Sequence, residues 1–211
     1  MRLSESFISV QGEGHLSGKM MYFLRTQGCS IKMCPIRSVC DEPKALKNNG
    51  GTNYSVAGIL ELIHREIAHT RNRWVCLTGG EPTDQSDFSE VVAEIRSAGY
   101  LVHIQTSGVN RVDCQWDWLT VSPKLPAKEL KQRYGNELKV VYTGQEDHVL
   151  NDYEIYFKAW NYYLQPLDKN GRKNTKATIK KLNEINSKDF PFPGGVEWEL
   201  SLQTHKWIGV K

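Results

Sequence analysis

The chain contains no apolar run approaching the roughly 20 residues that a membrane-spanning helix needs, so no membrane partner is expected. Its first residues, MRLSESFISVQGEG, lack the apolar core of a secretory signal, and a cytoplasmic location is the expectation. Charge of either sign is scarcely in excess. The 27 Lys and Arg against 24 Asp and Glu leave a net +3, too weak a bias to argue for nucleic acid, although a mildly basic surface suits anionic small molecules. The Lys-rich stretch 169–188 reads as a solvated helix face. There is no internal repeat and no low-complexity segment. A disulfide framework is also missing: five cysteines is an odd count, and three of them crowd into residues 29–40, which points to metal binding in a reducing compartment.

What is present is the composition of an ordinary globular domain, 39% hydrophobic and 24% charged with a mean hydropathy of −0.51. At 211 residues one domain spanning 1–211 accounts for the chain. From residue 20 onward short apolar strands alternate with amphipathic helical segments. Strands are expected at 20–26, 74–78, 101–106, 118–122, 138–142, 162–165 and 198–202. Helices are expected at 55–70, with Val56, Ile59, Leu60, Ile63 and Ile67 on one face and Ser55 as N-cap, and at 86–98, with Phe88, Val91, Val92 and Ile95 buried and Gly99 as the stop. Further helices are expected at 127–133, 147–158 and 175–186. Such alternation implies an α/β fold with mostly parallel strands.

In parallel sheets ligands bind at the carboxyl ends of the strands. The polar, glycine-containing segments 25–29, 78–82, 105–108, 122–124 and 165–168 all follow expected strands, so five strand ends aim functional groups at one rim. Residues 28–53 form a loop too long for a plain connection, and it carries Cys29, Cys34 and Cys40 in a C-x4-C-x5-C spacing. Three thiolates with no histidine in the loop fit a 4Fe–4S cluster with one open iron. A zinc site completed by Cys76, Cys114 or a distant His, and three unconnected thiols, are the alternatives. Cys76 lies in an apolar strand and reads as core packing. Arg25 closes an otherwise apolar strand, where a charge is costly unless paired. A guanidinium facing the interior can grip a carboxylate through two parallel hydrogen bonds, or sit in a structural ion pair.

Three more segments, Ser9-Val10-Gln11-Gly12-Glu13-Gly14, Thr78-Gly79-Gly80-Glu81-Pro82 and Ser201-Leu202-Gln203-Thr204-His205-Lys206, join the cysteine loop in a fixed order. With Ser122-Pro123-Lys124, the run 136–141 and Gln165-Pro166-Leu167-Asp168, the chain resembles, over nearly its whole length, the 7-carboxy-7-deazaguanine synthases of the radical S-adenosylmethionine (SAM) superfamily. A lone Gly-Gly-Glu-Pro marks only the superfamily; the ordered set marks this family. The resemblance implies an abbreviated, partly open radical SAM (β/α) barrel. It implies a lyase that converts 6-carboxy-5,6,7,8-tetrahydropterin to 7-carboxy-7-deazaguanine with loss of ammonia, in the 7-deazapurine (queuosine-type) pathway. In that family a deoxyadenosyl radical abstracts hydrogen from C6, the ring contracts and SAM is regenerated. The cofactors implied are a 4Fe–4S cluster, SAM and Mg²⁺. The partners are the small pterin substrate, an electron donor such as flavodoxin and a second copy in a homodimer, with no nucleic acid.

The same resemblance assigns residues. Cys29, Cys34 and Cys40 would hold the cluster, and Gly80, Ser122, Pro123, Lys124, Gln165, Pro166, Leu167 and Asp168 would contact SAM. Val10, Gln11, Gly12, Arg25, Thr78, His205 and the terminal Lys211 would contact the substrate. A hydroxyl and an ammonium suit the SAM carboxylate, and a Gln amide with backbone groups suits an aminopyrimidinone edge. Taken singly, Gly-Gly fits a tight turn, Ser-Pro-Lys a strand end and His205 a surface position. Glu81 fits either a structural or a SAM-binding role. No side chain is assigned a catalytic role beyond the cluster and SAM.

Three departures stand out. The family usually spaces its cysteines CxxxCxxC, whereas Arg37 occupies the x2 position here and leaves Cys34 as the middle ligand. Glu42 stands where the family often has a Thr that contacts magnesium, and a carboxylate is a competent Mg²⁺ ligand. Gln105-Thr106-Ser107-Gly108 replaces Glu-Thr-Asn-Gly, and an amide cannot exchange protons as a carboxylate does. The rival readings are another radical SAM enzyme, such as a glycyl-radical activase, and a zinc-stabilised RNA-binding module.

Overall fold

The computed structural model describes residues 1–47, 49–169, 171–187 and 195–211. In chain order the elements are β1 (Arg2–Val10), β2 (Met20–Thr26), β3 (Thr52–Asn53), α1 (Val56–Ile67), β4 (Trp74–Gly79), α2 (Phe88–Ser97), β5 (Leu101–Thr106), β6 (Trp118–Val121) and β7 (Glu137–Tyr142). They continue with α3 (Asp147–Tyr156), β8 (Asn161–Pro166), the hairpin β9 (Asp168–Lys169) and β10 (Arg172–Lys173), α4 (Thr175–Ile185), β11 (Trp198–Leu200) and α5 (Thr204–Trp207). Nine strands form one sheet in the order β11-β8-β7-β6-β5-β4-β2-β1-β3. Every pairing from β2 to β11 is parallel, and β1 and β3 close that edge antiparallel. The α/β reading with a mostly parallel sheet holds, and the described sheet is an open one rather than a closed barrel.

The register separates two faces with different chemistry. Leu24, Leu77, Ile104 and Leu119 stand side by side across β2, β4, β5 and β6, followed by Val121, Leu138, Tyr162 and Trp198. All are buried against the helices in one apolar core. α1 contributes Ile59, Ile63 and Ile67 at four-residue spacing, and α2 contributes Val91, Val92 and Ile95. Each fully buried Val, Leu or Ile is worth roughly 1.5–3 kcal/mol, so this outer face supplies most of the driving force for folding. Ser55 caps α1 as its sequence suggests, its Oγ accepting from Gly58 N at 3.1 Å.

The opposite face is largely polar. Arg25, Thr78 and Gln105 align in one row, with Thr120 and Glu137 next, and Lys139 and Gln165 further along. A sheet that leaves these groups on its concave side is built to hold a ligand, and only at its base do Leu16, Met21, Phe23 and Cys76 form a small apolar floor.

Two expectations need correction. β1 lies before residue 20, in a segment read as preceding the first strand. Its side chains Glu5, Phe7 and Ser9 pair with Arg25, Phe23 and Met21 on the polar face, so it lacks the apolar alternation of an ordinary strand. The helix at 127–133 is only a 3₁₀ turn, Ala127–Glu129. It stops because the next amides, of Lys131 and Gln132, donate to Gly108 O at 3.0 and 3.1 Å. The Lys-rich stretch does form an exposed helix in α4, while residues 170 and 188 lie outside the described part. Among the described residues no helix is long and apolar enough to cross a membrane.

Candidate active site

One cavity opens at the carboxyl ends of the parallel strands. Every residue that the resemblance assigns to the cluster, SAM, magnesium or substrate lines it except Pro123, which is buried. Residues from both chain ends and from seven strands of the sheet thus meet in one place.

Cys29, Cys34 and Cys40 are free, half-buried thiols on the cavity wall. Their loop is pinned to the end of β2 and to the turn after β4. Gly28 N donates to Ala45 O at 2.7 Å, Glu81 N to Gly28 O at 2.9 Å, and Ser30 N and Oγ to Asp84 at 2.8 and 2.9 Å. Arg37, at the position of the missing cysteine, folds back to donate to Ile31 O at 3.0 Å and thereby shapes the longer loop. Burial pushes the Cys29 and Cys40 thiols up. Cys76 is fully buried in the apolar floor, where desolvation pushes its thiol far up, and Cys114 packs on the outer core. Neither joins the trio. Among the described residues no three His, Cys, Asp or Glu side chains are drawn close enough for a single ion. The three thiols line one cavity wall, the placement that a cluster held by three thiolates requires.

Lys124 is half-buried in the same cavity, its ammonium donating to Ser122 O at 2.7 Å and Ser122 Oγ at 2.8 Å. Burial lowers its pKa, and Cys34, Glu81, Cys40 and Cys29 lie close enough to pull it back up. A cation placed there holds anions.

The glycine pair after β4 is required by the fold itself. Gly79 has φ +129°, and a Cβ on it would fall 2.3 Å from Thr26 N; a Cβ on Gly80 would fall 1.9 Å from Gly28 O. The pair lets the cysteine loop pack directly on β4. Glu81 is fully buried, and both its oxygens are occupied by the protein. It accepts from Thr83 N at 3.2 Å, Thr83 Oγ1 at 2.7 Å, Thr106 Oγ1 at 2.6 Å, Ser107 N at 2.8 Å and Ser107 Oγ. Of the two roles open to Glu81, the structural one accounts for all of its bonds.

On the far wall Arg25 meets two carboxylates, Glu5 at 3.0 Å and Glu42 at 2.7 Å, and its guanidinium lies 5.4 Å from the centre of the Phe7 ring. Lys211 Nζ pairs with Glu5 too, and Lys211 O accepts from Ser9 Oγ. Burial works against the Glu5 carboxylate, but the Lys211 and Arg25 cations outweigh it and its pKa is lowered. For Glu42 burial outweighs Arg25, and the carboxyl is pushed up. Beside this wall Thr78 Oγ1 donates to Gln105 Oε1 at 3.3 Å, so the replacement amide accepts from Thr78 and keeps its NH₂ as a donor.

The Gln11-Gly12-Glu13-Gly14 segment crosses the polar face as a platform. Gly12 O accepts from Thr204 N at 2.9 Å, and Gly12 is in such close contact with His205 that a Cβ would fall 2.0 Å from its Nδ1. Gln11 is held from below. Its amide nitrogen donates to His103 Nδ1 at 3.4 Å, His103 Nε2 donates to Thr120 Oγ1 at 2.8 Å, and Thr120 donates to Glu137 Oε1 at 2.7 Å. Because an amide nitrogen only donates, this chain fixes one neutral tautomer of His103. Burial lowers the His103 pKa to about 3 and raises that of Glu137. His205 is pulled down to about 4 by burial and by the Lys206 and Lys139 cations, so it too stands neutral.

Glu13 pairs with the buried Lys139 and accepts from Gln203 Nε2 at 2.7 Å and Gln165 Nε2 at 3.3 Å. Burial pulls the Lys139 ammonium down to about 7. Gln203 Nε2 also reaches Asp41 at 2.8 Å, while Lys206 bridges Asp41 at 2.9 Å and Asp168 at 3.4 Å. These contacts tie the C-terminal segment to the cysteine loop across the cavity. Glu5, Asp41, His103, Lys139 and Gln203 are site residues the sequence reading did not single out. For Lys139 a signal existed: Glu137 and Lys139 alternate with Leu138 and Val140, and two charges on one face of an apolar strand mark a polar interior.

No protein-family model matches the chain. Three curated relatives match it almost end to end, and each is named 7-carboxy-7-deazaguanine synthase. That of Haemophilus influenzae is 33% identical, covering 98% of this chain and 92% of its own. That of Bacteroides thetaiotaomicron is 33% identical, covering 100% and 98%. That of Neisseria meningitidis is 30% identical, covering 100% and 94%. Among solved structures the chain is similar to QueE from Escherichia coli with a TM-score of 0.65 over 96% of this chain and 93% of that one, at 23% identity, a likeness of fold. Near end-to-end identity at this level, on a fold whose strand ends carry the expected cysteine trio and Gly-Gly-Glu-Pro turn, leads to one conclusion: the chain belongs to the 7-carboxy-7-deazaguanine synthase family.

Proposed function

We propose that this chain is a radical SAM lyase that converts 6-carboxy-5,6,7,8-tetrahydropterin to 7-carboxy-7-deazaguanine with loss of ammonia, and that the single cavity at the strand ends is where it does so. The observation that carries the proposal is the gathering of three free thiols, a half-buried ammonium, a guanidinium wall and an amide platform around one space. A 4Fe–4S cluster on Cys29, Cys34 and Cys40, together with SAM, supplies the 5′-deoxyadenosyl radical. Lys124 and the Ser122 hydroxyl take the SAM carboxylate, since they already share a hydrogen bond beside the thiols. Gly80 presents backbone to SAM, and Gln165 to Asp168 offer amide, backbone and carboxylate groups to its adenosine edges.

Arg25 takes the substrate carboxylate and Thr78 a neighbouring polar group. Gln11, backed by His103, orients the aminopyrimidinone edge, with Val10 and Gly12 supplying backbone contacts. His205, neutral and locked against Gly12, lies close to the ring as a hydrogen-bonding group rather than a cation. Mg²⁺ completes the cofactor set, with Glu42 as the candidate protein ligand. A one-electron donor of the flavodoxin type, a homodimer and a cytoplasmic location belong to the same reading. The family relation leaves the activase and RNA-binding alternatives without support.

Incubating anaerobically reconstituted protein with SAM, a reductant and the carboxytetrahydropterin tests the proposal. Appearance of 7-carboxy-7-deazaguanine supports it. A protein that cleaves SAM yet never yields the deazapurine overturns the substrate assignment.

A further inference from the structure

Arg25 is gripped on two sides, and the two carboxylates that hold it are not equivalent. Glu5 sits directly opposite Arg25 in the β1–β2 register, meets Nε at 3.0 Å and takes Lys211 as a second cation. Glu42 sits in the cysteine loop and meets Nη1 at 2.7 Å, and Arg25 is its only side-chain partner among the described residues. The Phe7 ring, 5.4 Å from the guanidinium carbon, supports the cation between them. A guanidinium binds a carboxylate best through two parallel N–H bonds, and with Nε committed to Glu5, the edge carrying Nη1 is the one on which a ligand can be received. Glu42 already takes Nη1 on that edge.

Counting side chains, Arg25 and Lys211 balance Glu5 and Glu42. A third carboxylate leaves the wall one charge negative and competes with Glu42 for the same donors. Taking the reaction proposed above as given, we propose that Glu42 is an internal stand-in for the substrate carboxylate: it occupies the receiving edge of Arg25 in the empty site and is displaced when a carboxylated ring binds. Glu42 thereby weakens the binding of carboxylated rings alone. A ring without a carboxylate has nothing to offer Arg25 in exchange and leaves the Arg25–Glu42 pair in place. A carboxylated ring gains Arg25 only after opening that pair. The substitution of Glu for the family's usual Thr would thus lower both the affinity for a carboxylated ring and its margin over a ring without one.

Calorimetric titration of the anaerobically reconstituted enzyme, in magnesium-free buffer, tests this with two probes: 7-carboxy-7-deazaguanine and 7-deazaguanine, which lacks the carboxylate. Glu42→Gln and Glu42→Thr both remove the competing charge, and each is expected to tighten the carboxylated probe about fivefold, the size of a half-exposed ion pair, while leaving the other probe unchanged. Equal or weaker binding of the carboxylated probe in both variants overturns the stand-in role and makes Glu42 a supporting ligand instead. Equal gains for both probes overturn it as well, since loosening of the loop is then the cause. Wild-type protein that binds neither probe refutes the proposed function itself, a failure distinguishable from the other two.

Discussion

Buried polar side chains decide this site, and their partners make the effects of changing them calculable in direction. His103 is held neutral in the fold with a pKa of about 3, well below the ordinary histidine value of 6.5. Between those values the unfolded chain binds a proton that the folded one refuses, so stability falls as pH falls through that window. Replacing His103 by Gln is expected to flatten the dependence of unfolding free energy on pH between 5.5 and 4.5 by about 1.4 kcal/mol per pH unit, read from urea titrations. An unchanged slope would show that His103 does not carry that proton difference. Glu81 offers a second case. All five of its hydrogen bonds come from donors, and Glu81→Gln turns an NH₂ toward some of them. A loss of about 2–3 kcal/mol in denaturant unfolding is expected, in the range for leaving buried partners unsatisfied. Neither residue's bonding was readable in the sequence. His103 sits in the middle of an apolar strand, and only the alignment of β5 with β6 and β7 reveals the line of polar groups that receives it.

Among the elements, strands with one apolar face were legible, and β1, which lacks one, was not. β4, β5, β7 and β8 lie where the apolar runs place them, because their outer residues pack on helices. β1 escaped detection because its inner side chains are Glu5, Phe7 and Ser9, chosen by the cavity wall rather than by burial. The helix foreseen at 127–133 failed for a different reason: its amides were claimed by Gly108 O, a contact between segments distant in sequence. The Gly-Gly turn is where element packing and cofactor binding meet. Gly80→Ala puts a Cβ 1.9 Å from Gly28 O and 2.9 Å from Ala45 O, so the cysteine loop has to move. The expected outcome is at least a twofold loss of iron bound per chain after reconstitution, with the far-ultraviolet circular dichroism retained. Full iron content would mean that the loop tolerates the displacement.

For the whole molecule, the architecture divides labour between the two faces of one sheet. The helix-covered face stabilises, and the open face assembles chemistry from segments as far apart as Val10 and Lys211. That division explains why so many of the sequence motifs line one cavity: those after β2, β4, β5, β6, β8 and β11 follow parallel strands, which end at the same rim. It also explains what stayed hidden, since the pairings of Glu13 with Lys139 and Gln203 with Asp41 depend on how the rim closes in three dimensions. The contacts of Gln203 and Lys206 with Asp41 join the C-terminal segment to the cysteine loop, and Lys206→Met, which removes the bridge to Asp41 and Asp168, is expected to raise the KM for SAM severalfold with a smaller effect on kcat. An unchanged KM would confine Lys206 to a surface role.

The account rests on Cys34 serving as the middle cluster ligand despite the reshaped loop, and low-temperature electron paramagnetic resonance of the reduced, anaerobically reconstituted protein tests it most directly. The expected result is about four irons per chain and a 4Fe–4S signal that persists in Cys114→Ala and disappears in Cys34→Ala. A signal of full intensity in Cys34→Ala, or a colourless wild-type protein holding one zinc, would contradict it.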